Sequence, residues 1–116
     1  MNENSDNLNN LPDEDLMGHY QAGNSEAFEI LYRRHSPKVF QYFRKRTSGE
    51  IASDLLQDVF MKVHKARSQY SRQYPFLPWL FAISKNALFD FLKSTKSRVE
   101  FVSLDSEVLD LPSPAP

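Results

Sequence analysis

The sequence contains no cysteine, so neither a disulfide framework nor a thiolate metal site is open to it. Glycine is nearly as scarce. Three in 116 residues are too few for a turn-rich β fold, which favours helices from the outset. No apolar run approaches the ~18 residues of a membrane span, and no charged start leads into a secretory-type apolar stretch. The expectation is a soluble cytoplasmic protein with no membrane partner. The arrangements that catalysis needs are missing as well. His19, His35 and His64 are scattered, and no Glu-x-x-His pair, phosphate-cradling glycine loop or Ser/His/Asp set can be assembled. Asp54 and Asp58 stand one turn apart and could form a paired carboxylate, but a solvated or partner-docking helix face is the favoured reading. The chain reads as a binding protein, not an enzyme, with no cofactor and no metal.

Positive charge is absent from the start of the chain. Residues 1–32 hold seven acids and no Lys or Arg, whereas residues 33–98 hold all 14 Lys and Arg against four acids. Residues 99–116 add four more acids. A basic body between acidic ends is the footprint of a polyanion binder; a generic helical surface with lysines on its wet face is the plainer alternative.

The length supports one domain, and the spacing predicts an all-α fold, a compact bundle of about four helices. Residues 1–10 read as a disordered leader, 11–98 as the helical domain and 99–116 as an acidic Pro/Ser linker. The first helix is expected over LPDEDLMGHYQAG, with Pro12 at its start and Gly23 at its end. Asn24 or Ser25 can cap the second. Its stripe of Phe28, Leu31, Tyr32, His35, Val39, Tyr42 and Phe43 keeps phase across Pro37, which predicts one kinked helix. The third is expected from Glu50 to Arg67, after a turn at Ser48 and Gly49, with Asp54, Gln57, Asp58 and Met61 facing outward. The fourth is expected from near Pro78 to Ser97, with Trp79, Leu80, Ile83, Ala87, Phe91 and Leu92 turned inward.

Two features point to nucleic acid. Lys85, Asn86, Phe89, Lys93 and Lys96 recur on another face of the last helix. Lysines at that pitch can track a phosphate backbone, and an asparagine amide offers a base edge both a donor and an acceptor. The loop before this helix interleaves Tyr70, Tyr74 and Phe76 with Arg67, Arg72, Gln69 and Gln73, the groups that capture of an unstacked base requires. Packing of Phe76 and one tyrosine against the bundle's end is the plainer alternative.

The stretches AFEILYRRHSPKVFQYFRKRT, DLLQDVFMKVHKA and PFLPWLFAISKNALFDFLK together resemble region 2 of bacterial RNA polymerase sigma factors of the extracytoplasmic-function class. The second and third are similar to that family's D-x-x-Q-(D/E)-x-F and W-L-x-x-I-(A/S)-(R/K)-N-x-x-x-D-x-x-(R/K) patterns. The resemblance implies that Asp54, Gln57, Asp58 and Met61 dock on the clamp helices of the β′ subunit of core RNA polymerase. It implies that Arg67, Tyr70, Arg72, Tyr74, Phe76, Trp79 and Asn86 read the single-stranded minus-ten element of promoter DNA around a flipped base. PFLP would form a wall of that base pocket, and polymerase docking would position the loop. Lys85, Phe89, Lys93 and Lys96 would hold the strand. Ala82 stands where some members place a basic residue, which bears on the promoter sequence read. An anti-sigma factor is an expected partner. A full factor would carry a further helix-turn-helix domain, so an isolated region 2 is expected. Two other readings stay open: a sigma-like mimic that binds an anti-sigma factor without reading DNA, and a polymerase-independent single-strand binder.

Overall fold

Gly23 and Asn24 separate the first two helices by complementary chemistry. A computed structural model of the chain describes residues 8–96, the side chains of Thr95 and Lys96 apart. In it α1 spans Asp13–Gln21 and α2 spans Ser25–Arg44. Gly23 adopts φ 106°, a left-handed conformation that a Cβ would penalise. That geometry brings the Gly23 N–H to the Tyr20 carbonyl at 2.9 Å and the Asn24 N–H to the His19 carbonyl at 3.0 Å. Both bonds satisfy acceptors that the end of α1 leaves open. Asn24 Oδ1 then accepts from the Glu26 N–H at 3.0 Å and caps α2.

Pro37 lies inside α2 without ending it. The helix closes where its cations can reach back: the Arg46 guanidinium donates to the Tyr42 carbonyl at 2.8 Å. Ser48 Oγ accepts from the Ile51 N–H at 3.2 Å and so caps α3, Gly49–Lys65. Gly49 is therefore the first helical residue, not part of a turn. A 3₁₀ turn, Arg67–Gln69, leads through a loop into α4, Phe76–Lys96.

Helix α2 packs against both α1 and α3, and α4 closes on α3. The fully buried side chains come from all four helices: Leu16 and Met17 from α1, Leu31, Val39 and Phe43 from α2, Val59 and Val63 from α3, and Leu80 and Leu88 from α4. No helix among the described residues is long and apolar enough to cross a membrane.

Several boundaries differ from expectation. Leu8 is buried in the core, so the ordered body starts before residue 11; residues 1–7 and 97–116 lie outside the described residues. Helix α4 begins at Phe76, so Phe76, Leu77 and Pro78 of PFLP open its first turn and Pro75 stands just before it. The centre of its inward face runs through Ser84 and Leu88 beside Leu80 and Ala87, while Trp79, Ile83, Phe91 and Leu92 flank it half-buried. Ser84 tolerates burial because its hydroxyl donates to the Leu80 carbonyl at 3.0 Å.

Phe43→Ala leaves a cavity at the centre and should cost about 3–5 kcal/mol. Thermal unfolding should show Tm lowered by on the order of 15 °C. Tyr74, whose side chain projects to solvent, should change Tm by only a few degrees when replaced by Ala, so comparing the two scans tests the assignment of core and surface.

Candidate nucleic-acid interface

The aromatic loop between α3 and α4 divides into an inner and an outer part. Tyr70 and Phe76 turn inward, with 4% and 0% of their surface exposed. Their rings lie 6.1 Å apart, and Trp79 packs on both, 4.9 Å from Tyr70 and 5.9 Å from Phe76. His35 of α2 covers Phe76 from below at 5.6 Å. With these faces packed, Tyr70 and Phe76 agree with the plainer alternative, in which Phe76 and one tyrosine pack against the bundle's end. They form the floor on which the loop is built. The floor also reaches the outer part, because the Tyr70 hydroxyl donates to the Tyr74 carbonyl.

The outer part is a turn in which the Tyr74 N–H bonds to the Ser71 carbonyl at 2.9 Å. Tyr74 is 64% exposed, a projecting aromatic on a tethered backbone. The two loop arginines are less available than their sequence suggested. Arg67 folds back to donate to the His64 carbonyl at 2.6 Å and lies 5.7 Å over the Tyr20 ring. Arg72 pairs with Asp15 of α1, although 61% of its side chain stays exposed.

Helix α4 carries the rest. Trp79, Ile83 and Asn86 recur at helical spacing, so the exposed Asn86 lies along the side of α4 that begins at the loop's floor. Lys85, Phe89 and Lys93 form the adjoining row, and the Lys93 ammonium sits 5.2 Å from the centre of the half-buried Phe89 ring. The side chain of Lys96 lies outside the described residues. This surface offers amide, aromatic and cationic groups to a strand, but the described residues hold no cluster of His, Asp and Glu suited to a metal ion.

A second surface lies on α3. Asp54, Gln57, Asp58 and Met61 are all exposed, Met61 by 56%, and Asp58 meets Lys62 at 3.2 Å one turn on. An exposed methionine among carboxylates suits a partner that is basic with an apolar centre.

Sequence reasoning missed a set of α1 residues that hold the loop. Glu14 Oε2 accepts from the Phe76 N–H at 2.7 Å, and Gln21 Nε2 donates to the Arg67 and Tyr70 carbonyls at 2.7 and 2.6 Å. The available signal was the row of acids Asp13, Glu14 and Asp15 in a segment with no cation of its own.

Burial pushes the Tyr70 hydroxyl up to about 12 from its ordinary 10.0; Glu14 and Asp13 add to the rise and Arg72 opposes it. The neutral phenol is thus favoured by folding. Its contribution is complete below pH 10.0 and is lost as pH rises towards about 12. Tm recorded across that window should fall with pH, and Tyr70→Phe should flatten the fall. Tyr20 and Tyr42 are also raised by burial and leave a residual slope.

Residues 31–98 match the family model described as Sigma-70 region 2. The chain is 37% identical over 78 residues to the RNA polymerase sigma factor CarQ of Myxococcus xanthus, covering 66% of this chain and 45% of that protein. It is 32% identical over 98 residues to the ECF RNA polymerase sigma factor BldN of Streptomyces coelicolor, covering 83% of this chain and 36% of that one. The chain thus spans less than half the length of these curated relatives. Among solved structures, an engineered region 2 of sigmaE in complex with GTAAAA is similar with a TM-score of 0.71 and 26% identity, covering 78% of this chain and 96% of that one. Four helices in this order, with both linked motifs on α3 and α4, agree with that match. The chain belongs to the Sigma-70 region 2 family, in the extracytoplasmic-function class.

Proposed function

We propose that this domain recognises promoter DNA by capturing one base of the opened minus-ten strand at the loop of residues 70–74, while its α3 face docks on core RNA polymerase. The observation that carries the reading is the loop itself: Tyr74 projects from a backbone tethered by Tyr70, at the head of a helix that presents Asn86 and Lys93. The solved relative in complex with GTAAAA supports DNA binding by a domain of this fold. In the mechanism, Tyr74 stacks on an extruded base, Asn86 bonds a base edge along the helix, and Lys85 and Lys93 neutralise backbone phosphates. Arg72 lends partial charge from within its pair. Trp79, with its floor partners Tyr70 and Phe76, supports the pocket. Binding only the unstacked strand offsets the cost of melting and shifts the duplex towards the open form.

Asp54, Gln57, Asp58 and Met61 serve as the docking face for the β′ clamp helices, and an anti-sigma factor that covers this face would keep the domain from polymerase. The domain works in the cytoplasm, where both partners are. A sigma-like mimic has no use for a tethered, solvent-facing Tyr74, which favours DNA readout over that alternative.

Fluorescence anisotropy with a panel of labelled single-stranded hexamers tests the capture. Tyr74→Ala and Asn86→Ala should each weaken the preferred sequence by about fivefold to a hundredfold, the loss of one stack or base contact. Equal weakening across the panel would argue against base readout. Affinity should also fall steeply with added salt. On the other face, Asp54→Arg should abolish co-purification with core polymerase while leaving hexamer affinity intact; retained co-purification would sink the docking assignment.

A further inference from the structure

Helix α1 lies before residues 31–98, the part of the chain that the family model matches. Its contacts nevertheless converge on the loop. Glu14 accepts the Phe76 N–H at 2.7 Å, where α4 begins and its amides have no partner within the helix. A carboxylate there also faces the positive end of the helix dipole. Asp15 pairs with Arg72 in the middle of the loop. Gln21, two turns further along, gives one amide nitrogen to the carbonyls of Arg67 and Tyr70 at 2.7 and 2.6 Å. The loop is therefore gripped at its start, its centre and its end by one helix. Asp13 fixes that helix in turn: its two carboxylate oxygens meet Arg34 Nη1 and His35 Nε2 of α2, each at 2.9 Å.

We propose that α1 is the positioning element of the base-reading loop, with Glu14 and Gln21 as its positioning residues, so that capture depends on a helix that itself touches no DNA. The inference rests on the reading of the loop as the capture site. It departs from the sequence expectation that polymerase docking positions the loop, because here the loop is held by the chain's own first helix. Both side chains are engaged within the protein. Glu14 is turned to the start of α4, and the Gln21 amide is engaged by loop carbonyls. Their effect on binding is to raise the fraction of molecules whose loop is already in the competent geometry, and apparent affinity scales with that fraction.

The test uses the full chain with Gln21→Ala, Glu14→Ala and Glu14→Gln. Gln21 is at the surface, so its variant tests the proposal even if Glu14→Ala fails to fold. Affinity for the preferred hexamer should fall on the order of tenfold in Gln21→Ala and Glu14→Ala, as expected if the competent fraction drops to about a tenth. Amide exchange at Phe76 and Tyr74 should quicken in the same variants, with the core amides of α2 and α3 unchanged. Glu14→Gln keeps an acceptor oxygen for the Phe76 N–H and should recover most of the affinity. Full affinity in Gln21→Ala overturns the proposal, as does a loss of affinity without faster loop exchange. A wild-type chain with no sequence preference among hexamers overturns the capture reading instead, which keeps the two failures distinct.

Discussion

Three consecutive carboxylates at the start of α1 hold the molecule's functional end together. Neighbouring residues on a helix radiate about 100° apart, so Asp13, Glu14 and Asp15 point in three directions. Asp13 reaches α2, Glu14 the start of α4, and Asp15 the loop between α3 and α4. The energies are unequal. The exposed Asp15 pair with Arg72 contributes about 0–1 kcal/mol, whereas the charge-assisted bond from the Phe76 N–H to Glu14 is of the stronger kind. Their joint consequence is geometric. They fix α1 on α2 and fix the loop on α1, so the position of Tyr74 follows from contacts made more than fifty residues earlier in the chain.

The same contacts resolve the charge asymmetry of the sequence. An acidic N-terminal segment beside the proposed DNA-binding surface would repel the strand. Asp13 and Asp15 face Arg34, His35 and Arg72 across short contacts, so much of their field is cancelled locally. Lys85 and Lys93 lie on a helix whose adjoining acid, Asp90, is single and exposed. Acidic character persists on the α3 face, where Asp54 and Asp58 stay in solvent around Met61. The chain keeps one acidic surface outward and turns the other inward.

How much of this was legible in the sequence follows the range of the interactions. The cap at Asn24, the end of α1 at Gly23, the continuity of α2 through Pro37 and the outward set on α3 are local patterns, and residue spacing carries them, whereas Ser48 was read as part of a turn and caps α3 instead. The start of α4 was displaced because Pro78 looked like a first helical position, while the bond that secures the start comes from Glu14 at a distance. Ser84 escaped notice because a hydroxyl satisfied by its own helix behaves as an apolar residue. Tyr70 and Phe76 were placed with Tyr74 on composition, and no local pattern separates them. Only the folded arrangement of Trp79, His35 and the loop shows which rings have occupied faces.

That separation explains why the loop needs a tyrosine in its floor rather than phenylalanine throughout. The ring of Tyr70 fills the space against Phe76 and Trp79, and its hydroxyl, a neutral phenol at neutral pH, points to the loop's tip. A protonated phenol is always a donor, so the bond to the Tyr74 carbonyl is present across the physiological range. A purely apolar floor would hold the loop's base and leave its tip free to wander. With the tip tethered, the ordering cost that a flexible loop would incur on binding is already met in folding. In the proposed capture, an opened strand then meets a stacking platform that is fixed in advance, and binding energy goes to holding the base out of the duplex rather than to arranging the protein.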